Sequence, residues 1–243
     1  MSTLKRFYRN VLQNRTAFIS GTNTDRIHSL ELESHLTTNT YGNFTLTDAI
    51  RPSMRLTIIP EQGYKYGRIK LDRNDTRSFH RINPRWLMPI LVVSVSLEQL
   101  FDTFLDLLDP MGDTVDIVLE TSHRYTGTHR LGLCREHIDL PVLKSFLCDH
   151  EDLMLNDGCT GISVCEPRTQ TEVKFDEHKL IYVRARTLLP FESILHSHGV
   201  PHKEMMPILS DAEHVHITRE EYIQRLKTLK VSLGMEEIYT SVC

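Results

Sequence analysis

The fold of this chain is decided by one stretch, which reads LMPILVVSVS (residues 87–96), LEQLFDTFLDLLDPMG (97–112) and DTVDIVLE (113–120). A continuous apolar run, an amphipathic run and an alternating run follow one another. This order predicts a buried strand, a covering helix and a second strand. The first run is rich in Val and Ile at successive positions, which is typical of a strand covered on both faces. We therefore expect it inside a sheet.

The amphipathic run predicts a helix that buries one face and begins at a capping box formed by Ser96 and Gln99. Its apolar residues recur at spacings of three and four, as on one side of an α-helix: Leu97, Leu100, Phe101, Phe104, Leu105 and Leu108. In the strand that follows, alternate apolar residues share one face and Asp116 points to the other. This alternation predicts that the second strand is half exposed.

The rest of the chain divides into two parts. Residues 1–85 contain short, partly alternating segments separated by Gly, Asn, Asp and Pro, which predict a smaller, basic and β-rich N-terminal part. Residues 86–243 predict an acidic α/β layered domain. The predicted fold class is α+β (mixed α/β), with a mixed sheet and helices packed on it.

Two passages of the second part resemble each other, residues 93–105 and residues 183–195. Each joins a strand to a helix through polar residues, and each is followed by another strand and another helix. The resemblance is short, so it is compatible with chance as well as with an internal duplication of a βαβα-type unit. A duplication predicts a pseudo-twofold relation between the two halves.

The net charge of −4 conceals an asymmetry along the chain. Residues 1–86 contain 14 Lys or Arg and 7 Asp or Glu, a balance of +7, whereas residues 87–243 contain 14 and 25, a balance of −11. The basic part either meets an anionic partner or lies against acidic residues of the same chain or of a second subunit. The second interpretation is favoured because the complement is already present in the molecule. A protein partner or a homo-oligomer is therefore expected.

Cellular location and redox state follow from the sequence composition. The N-terminal residues have no apolar core of the kind that a signal peptide needs, and the longest apolar run is too short to span a bilayer. The five cysteines include no C-x-x-C pair, which favours reduced intracellular thiols. We expect a cytoplasmic protein that does not interact with membranes.

The densest candidate for chemistry is histidine, in HSHGVPH and in EHVHI. His214 and His216 are two apart in a predicted strand, so both face one side and suit a shared metal ion. Imidazole nitrogens bind zinc and other divalent transition metals, and the predicted metal ligands are His196, His198, His214 and His216. The alternative places them in a polar loop and on a solvent-facing strand edge, since no H-E-x-x-H motif accompanies them.

Cys159, in DGCTG, is a second candidate. It is interpreted either as a nucleophile beside a histidine or as a small packing residue at the start of a buried strand. A zinc site that combines Cys134 and His137 with Cys159 and Cys165 would need two distant segments to converge. The packing interpretation is favoured.

A basic segment, residues 51–85, contains nine basic and three acidic residues interleaved with aromatic ones. Basic groups between stacking aromatic rings are typical of proteins that bind single-stranded nucleic acid. The predicted anion or nucleic-acid ligands are Arg55, Lys65, Arg68, Lys70 and Arg73. The alternative is a hairpin with a solvated basic face, because no RNP-like stretch, KH loop or helix-turn-helix signal appears. Nucleic acid is therefore not the favoured partner.

Three functional hypotheses follow from these observations. The leading one is a non-enzymatic intracellular protein that acts through partner binding or self-assembly, because the sequence contains no complete catalytic motif. The first alternative is a metal-dependent enzyme, a hydrolase, that uses the histidine cluster. The second alternative is nucleic-acid binding through residues 51–85. Near-stoichiometric metal that is lost when His214 and His216 are replaced would favour the enzyme.

Overall fold

The structure is a computed structural model, and it describes residues 40–52, 59–67, 89–123 and 131–238. The described strands are β1 (Thr40–Tyr41), β2 (Phe44–Thr45), β3 (Ile50–Pro52), β4 (Gly63–Gly67), β5 (Ile90–Ser94), β6 (Thr114–Thr121), β7 (Leu131–Asp139), β8 (Thr160–Glu166), β9 (Thr171–Phe175), β10 (Ile181–Arg184), β11 (His214–His216) and β12 (Glu236–Ile238). The described α-helices are α1 (Leu97–Asp106), α2 (Leu140–Asp149), α3 (Glu151–Asn156), α4 (Leu189–Ser197) and α5 (Glu220–Ser232). Eight strands form a large sheet of order β12-β7-β6-β8-β9-β10-β5-β4, and two small sheets are β1-β2 and β11-β3.

The strand β5 and the helix α1 form the unit that the sequence predicts. β5 lies between β10 and β4, and all its residues are buried. α1 follows Ser96 and buries Leu100, Phe101 and Phe104. The Phe104 ring stacks on the Phe175 ring of β9, with 5.1 Å between the ring centroids. Full burial of one such side chain contributes about 1.5–3 kcal/mol. The predicted buried strand and its covering helix are confirmed.

All five α-helices of the described residues share one hydrophobic core with a single face of the large sheet. Helices gathered on one face of an antiparallel sheet define the α+β architecture, so the predicted fold class is confirmed. The sheet itself is antiparallel at every described pairing, which differs from the predicted mixed sheet. β5 and β6 run in the same direction across α1, but they do not pair because β8, β9 and β10 lie between them.

Two strands from the N-terminal part belong to sheets of the second part. β4 pairs with β5 at the edge of the large sheet, and β3 pairs with β11. The predicted boundary between residues 85 and 86 lies outside the described residues, so the division into residues 1–85 and 86–243 stays a prediction.

The two passages that resemble each other correspond in the structure only at their first strand and first helix. β5 and β10 are antiparallel neighbours, and each leads into a helix, α1 or α4. The strands that follow take different places, because β6 belongs to the large sheet and β11 to a small sheet. The similarity is therefore confined to the strand and the helix of each passage.

Two local predictions differ from the structure. Ser96 precedes α1, but its side chain does not cap the helix. Its Oγ instead accepts the backbone N–H of Thr45 (2.9 Å) and donates to the Glu98 carboxylate. The residue before α1 is therefore hydrogen-bonded to the strand β2. Asp116 is buried because β6 lies between β7 and β8, and its carboxylate accepts the backbone N–H of His137 (2.8 Å). Burial raises the pKa of Asp116. β6 is thus buried rather than half exposed.

Candidate metal centre

A tight turn between β9 and β10 carries the first part of the candidate site. Asp176 Oδ1 accepts the backbone N–H groups of His178 (2.9 Å) and Leu180 (3.0 Å). The backbone N–H of Asp176 also donates to the Leu180 carbonyl (3.0 Å). Aspartate suits such a turn because its carboxylate can accept N–H groups from residues two and more positions ahead. The turn places the His178 ring against the histidines of β11.

The strand β11 carries the second part. His214 and His216 are two residues apart in extended backbone, so they point to the same side, and each is only 5% exposed. Gly158 packs against this strand and donates its N–H to the Ile217 carbonyl (2.8 Å). A Cβ atom at Gly158 would lie 2.3 Å from the carbonyl oxygen of Ala49. Only glycine therefore fits beside β11 at this point.

Hydrogen bonds to carbonyl groups determine the tautomers of the two buried histidines. His214 Nδ1 lies 2.7 Å from the Ala212 carbonyl oxygen, and His216 Nδ1 lies 2.6 Å from the Gly158 carbonyl oxygen. A carbonyl only accepts, so both Nδ1 atoms carry the hydrogen. In the neutral rings both Nε2 atoms then carry lone pairs, and these two atoms lie 3.2 Å apart.

His178 completes a triangle of imidazole rings with His214 and His216. Its ring centroid lies 5.0 Å from that of His214 and 4.8 Å from that of His216. His178 Nδ1 donates to Asp176 Oδ2 (2.9 Å), so in the neutral ring Nε2 carries the lone pair. One ligand atom from each of the three histidines lies within 4.8 Å of the others. A carboxylate that accepts from the second nitrogen orients an imidazole for metal binding.

Burial and neighbouring charges give the three rings different acidities. Burial lowers the pKa of His214 and lowers that of His216 to about 4, since a charged ring is poorly solvated there. Burial acts in the same direction on His178, but the Asp176 carboxylate outweighs it and raises the pKa of His178. The pKa of Asp176 falls to about 2, because His178 and backbone N–H groups overcome the cost of burying the carboxylate. The pair on β11 is therefore neutral at pH 7.

A small cavity and a buried lysine lie beside His178. A cavity of about 20 Å³ borders His178, Lys179 and Leu180, which is enough for one water molecule. Lys179 is buried and donates its Nζ to the Thr160 carbonyl (3.1 Å). Burial lowers the pKa of Lys179 to about 8. Neither His214 nor His216 lines this cavity.

The structure brings together two of the four predicted metal ligands. His214 and His216 face each other, and their burial excludes the alternative of a solvent-facing strand edge. His196 is exposed near the end of α4, and His198 hydrogen-bonds Asp106 of α1 (2.8 Å). His196 and His198 do not belong to the group formed by His178, His214 and His216.

His178 is the member of the three-histidine group that sequence reasoning missed. The only local signal is an aspartate two residues before a histidine in DEHK, between two segments that the sequence predicts as strands. This signal marks a turn, and it does not reveal that the turn meets β11. His178 lies 36 and 38 residues before its two partners, so only the folded sheet brings the three rings together.

The basic segment is described only in part. Lys65 lies in β4 and donates to the Met206 carbonyl (2.7 Å). The other predicted ligands of an anion or of nucleic acid lie outside the described residues: Arg55, Arg68, Lys70 and Arg73. The nucleic-acid hypothesis therefore stays a prediction.

Comparisons with known proteins add no assignment. Protein-family models, curated proteins and solved structures were compared with this chain, and none of them matches it. Among the described residues, every helix is too short or too polar to cross a bilayer.

Proposed function

We propose that this protein binds a divalent transition-metal ion, zinc in the first instance, through the Nε2 atoms of His178, His214 and His216. The observation that carries the proposal is the pair of buried Nε2 atoms on β11, 3.2 Å apart, both of whose Nδ1 hydrogens are committed to carbonyl groups. Two lone pairs that face each other in a buried place repel, so something positive must lie between them.

An ion satisfies this arrangement better than a shared proton does. A proton on His214 or His216 would leave a charged ring in a buried place, which the lowered pKa values of these two histidines oppose. A divalent ion would instead be held by three nitrogens, with the carboxylates of Asp176 and Glu177 nearby to balance its charge. Buried charges are stable only when they are paired or bound to ligands in this way.

Zinc fits the donor set and the spacing. Imidazole is a preferred ligand of zinc, nickel and copper. With Zn–N distances of 2.0–2.1 Å in a tetrahedron, two ligand nitrogens lie about 3.3–3.4 Å apart. The separation between His214 Nε2 and His216 Nε2, 3.2 Å, is close to this value.

The bound ion would join a small sheet to the large sheet. His178 belongs to the turn between β9 and β10 of the large sheet, whereas His214 and His216 belong to β11. A metal–ligand set that spans two sheets contributes its binding free energy to folding.

The test is a zinc titration of the metal-free full chain, with two matched double variants. The wild-type chain should bind zinc and unfold at a higher temperature with it; at a zinc concentration a hundred times Kd the gain is about 2.7 kcal/mol. The variant His214→Ala/His216→Ala should lose this response. The variant His196→Ala/His198→Ala should keep it, because those rings lie elsewhere.

Two results would refute the proposal. One is a wild-type chain whose stability and zinc content do not change on titration. The other is an equal zinc response in both double variants. Should His214→Ala/His216→Ala fail to fold, His178→Ala provides the same test from the large sheet, where the residue is partly exposed.

The partner-binding or self-assembly hypothesis is compatible with a structural ion and stays a separate proposal. It rests on the opposite charge balance of residues 1–86 and 87–243. Sedimentation at increasing salt tests it, since an assembly held by complementary charge dissociates as salt screens the attraction. A mass that is monomeric at low salt would refute self-assembly.

A further inference from the structure

A second buried cluster lies where β6 ends and β8 begins. It consists of His123, Asp157 and Cys159, and one ligand atom from each lies within 4.8 Å of the others. The backbone N–H of Ser122 donates to the Cys159 carbonyl (2.8 Å), which holds the two segments together. The side chains of His123 and Asp157 are 1% and 0% exposed, and Cys159 is 3% exposed.

The tautomer of His123 follows from its carboxylate partner. His123 Nε2 lies 2.7 Å from Asp157 Oδ2. Burial disfavours the Asp157 carboxylate, but hydrogen bonds from His123 and Thr160 outweigh this and hold the pKa of Asp157 below its ordinary value. The carboxylate is therefore ionised and accepts, so Nε2 donates and Nδ1 of the neutral ring carries the lone pair.

His123 Nδ1 is a buried polar atom for which the described part of the chain offers no hydrogen-bond partner. An atom left in this state costs about 1–3 kcal/mol. Folded proteins seldom tolerate this cost without an occupant such as an ion or water. The orphaned nitrogen is thus an observation, independent of the cysteine, that points to a ligand.

Asp157 orients the cluster and is not itself the best ligand. Its Oδ2 accepts from His123 and from the Thr160 hydroxyl, and its Oδ1 accepts the backbone N–H of Cys159 (3.2 Å). A metal-bound histidine commonly donates its second N–H to such a carboxylate. Imidazole nitrogen together with thiolate sulfur is a ligand pair that zinc prefers.

We propose that His123 Nδ1 and Cys159 Sγ bind a second, thiophilic metal ion of the zinc class, with Asp157 as the orienting partner of His123. The site is distinct from the three-histidine site and does not depend on it. The near-complete burial of the cluster favours an ion over the alternative of Cys159 as a nucleophile, since an organic substrate has no access to a thiol in this position.

One short turn supports both proposed sites. Asp157 accepts from His123, and the carbonyl of the next residue, Gly158, accepts from His216 Nδ1 (2.6 Å). An ion at either site restrains this turn and so orders the ligands of the other. This coupling, unlike the second site itself, rests on the proposed function.

Cobalt(II), which replaces zinc and reports thiolate ligands, provides the test. The metal-free, reduced full chain is titrated with cobalt(II) and followed by absorption. The wild-type chain should develop a near-ultraviolet thiolate-to-cobalt charge-transfer band, and Cys159→Ser should lose it. Cys165→Ser is the matched control, because Cys165 is equally buried in β8 and belongs to neither described ligand group, and it should keep the band.

Further variants separate the two proposals. His214→Ala/His216→Ala should keep the thiolate band while it loses the visible absorption from the three-histidine site. If Cys159→Ser does not fold, His123→Asn keeps the thiol and should weaken cobalt(II) binding at the thiolate site at least tenfold.

Any of three results would overturn the second site. The first is a wild-type chain that never shows the band. The second is a band that survives Cys159→Ser. The third is rapid alkylation of Cys159 in the folded chain without any thiolate–metal band, which would identify the residue as an accessible nucleophile instead.

Discussion

Two pairs of histidines with the same spacing behave differently in this protein. His196 and His198 lie at the end of α4, where two positions are roughly 200° apart around the helix axis. His214 and His216 lie in β11, where the same spacing puts both rings on one side. The first pair is exposed or bonded to a surface carboxylate, whereas the second pair is buried ring to ring.

The difference shows that the backbone conformation of an H-x-H motif decides whether its two imidazole rings lie on the same side. On β11 each ring loses solvent and gains a carbonyl partner for Nδ1, which leaves two lone pairs face to face. At the end of α4, His198 Nε2 hydrogen-bonds Asp106, whose side chain is 51% exposed. Solvent can therefore hydrate the remaining polar atoms of these two side chains. Matched substitutions beside the two histidine pairs test this contrast.

The largest expected effect comes from the glycine next to each pair. Gly158→Ala should destabilise the fold by about 3 kcal/mol and abolish zinc binding at β11, because the new methyl group meets the Ala49 carbonyl at 2.3 Å. Gly199→Ala, beside His198, meets nothing within 4 Å and costs only about 1 kcal/mol for its left-handed backbone. Urea unfolding of the two variants measures both. Equal losses would contradict the packing around Gly158.

The next effect is the pH dependence of the metal-free chain. The pKa of His216 is about 4 in the folded chain and near 6.5 when unfolded. Between these values the unfolded state binds the extra proton, so stability is present above pH 6.5 and is lost as the pH falls toward 4. The loss from this residue is about 3 kcal/mol.

Neighbouring groups modify this slope, and variants separate them. Glu177 favours the charged His216 ring, and His178 and His214 disfavour it. His178, whose pKa is raised, contributes with the opposite sign: its stabilisation is present below its unfolded pKa and is lost as the pH rises through the folded value. His216→Ala should flatten the acid-side slope, whereas His196→Ala/His198→Ala should leave it unchanged. A slope that persists in His216→Ala would show that another group causes it.

The smallest effect concerns the carboxylate beside each pair. Asp176→Asn should weaken zinc binding 10–100-fold, because His178 loses its charged acceptor while the amide oxygen still supports the turn. Asp106→Asn removes the partner of His198 and should change stability by less than about 1 kcal/mol, with no change in zinc affinity. Isothermal titration with zinc compares the two. Similar affinities would remove Asp176 from the site.

Much of the fold was predictable because it depends on local pattern. The apolar run of β5 and the spacing of the α1 residues each specify burial within a few neighbouring positions. The half-exposed interpretation of β6 was wrong because Asp116 looks like a surface residue in sequence, and only the strands on both sides of β6 show that it is buried. A mixed sheet was expected because the βαβ pattern does not show that β8, β9 and β10 separate β5 from β6.

Two of the three histidines of the candidate site could be named from the sequence. His214 and His216 follow from a period of two along one strand, which is local information. His178 and Asp176 were missed because they reach β11 through the order of strands in the large sheet, and His123 was missed because β6 and β8 bring it to Asp157 and Cys159.

The sequence by itself determined the strand β5, the helix α1 and the face of α1 that packs on the core, since these depend on residues a few positions apart. Tertiary structure alone decided which polar groups are buried together. The turn between β9 and β10, the segment before β8 and the strand β11 are far apart along the chain, and the folded structure brings them together as buried neighbours. There the imidazole nitrogens of His214 and His216 face each other in a buried place, which is the physical basis of the cation site that we propose.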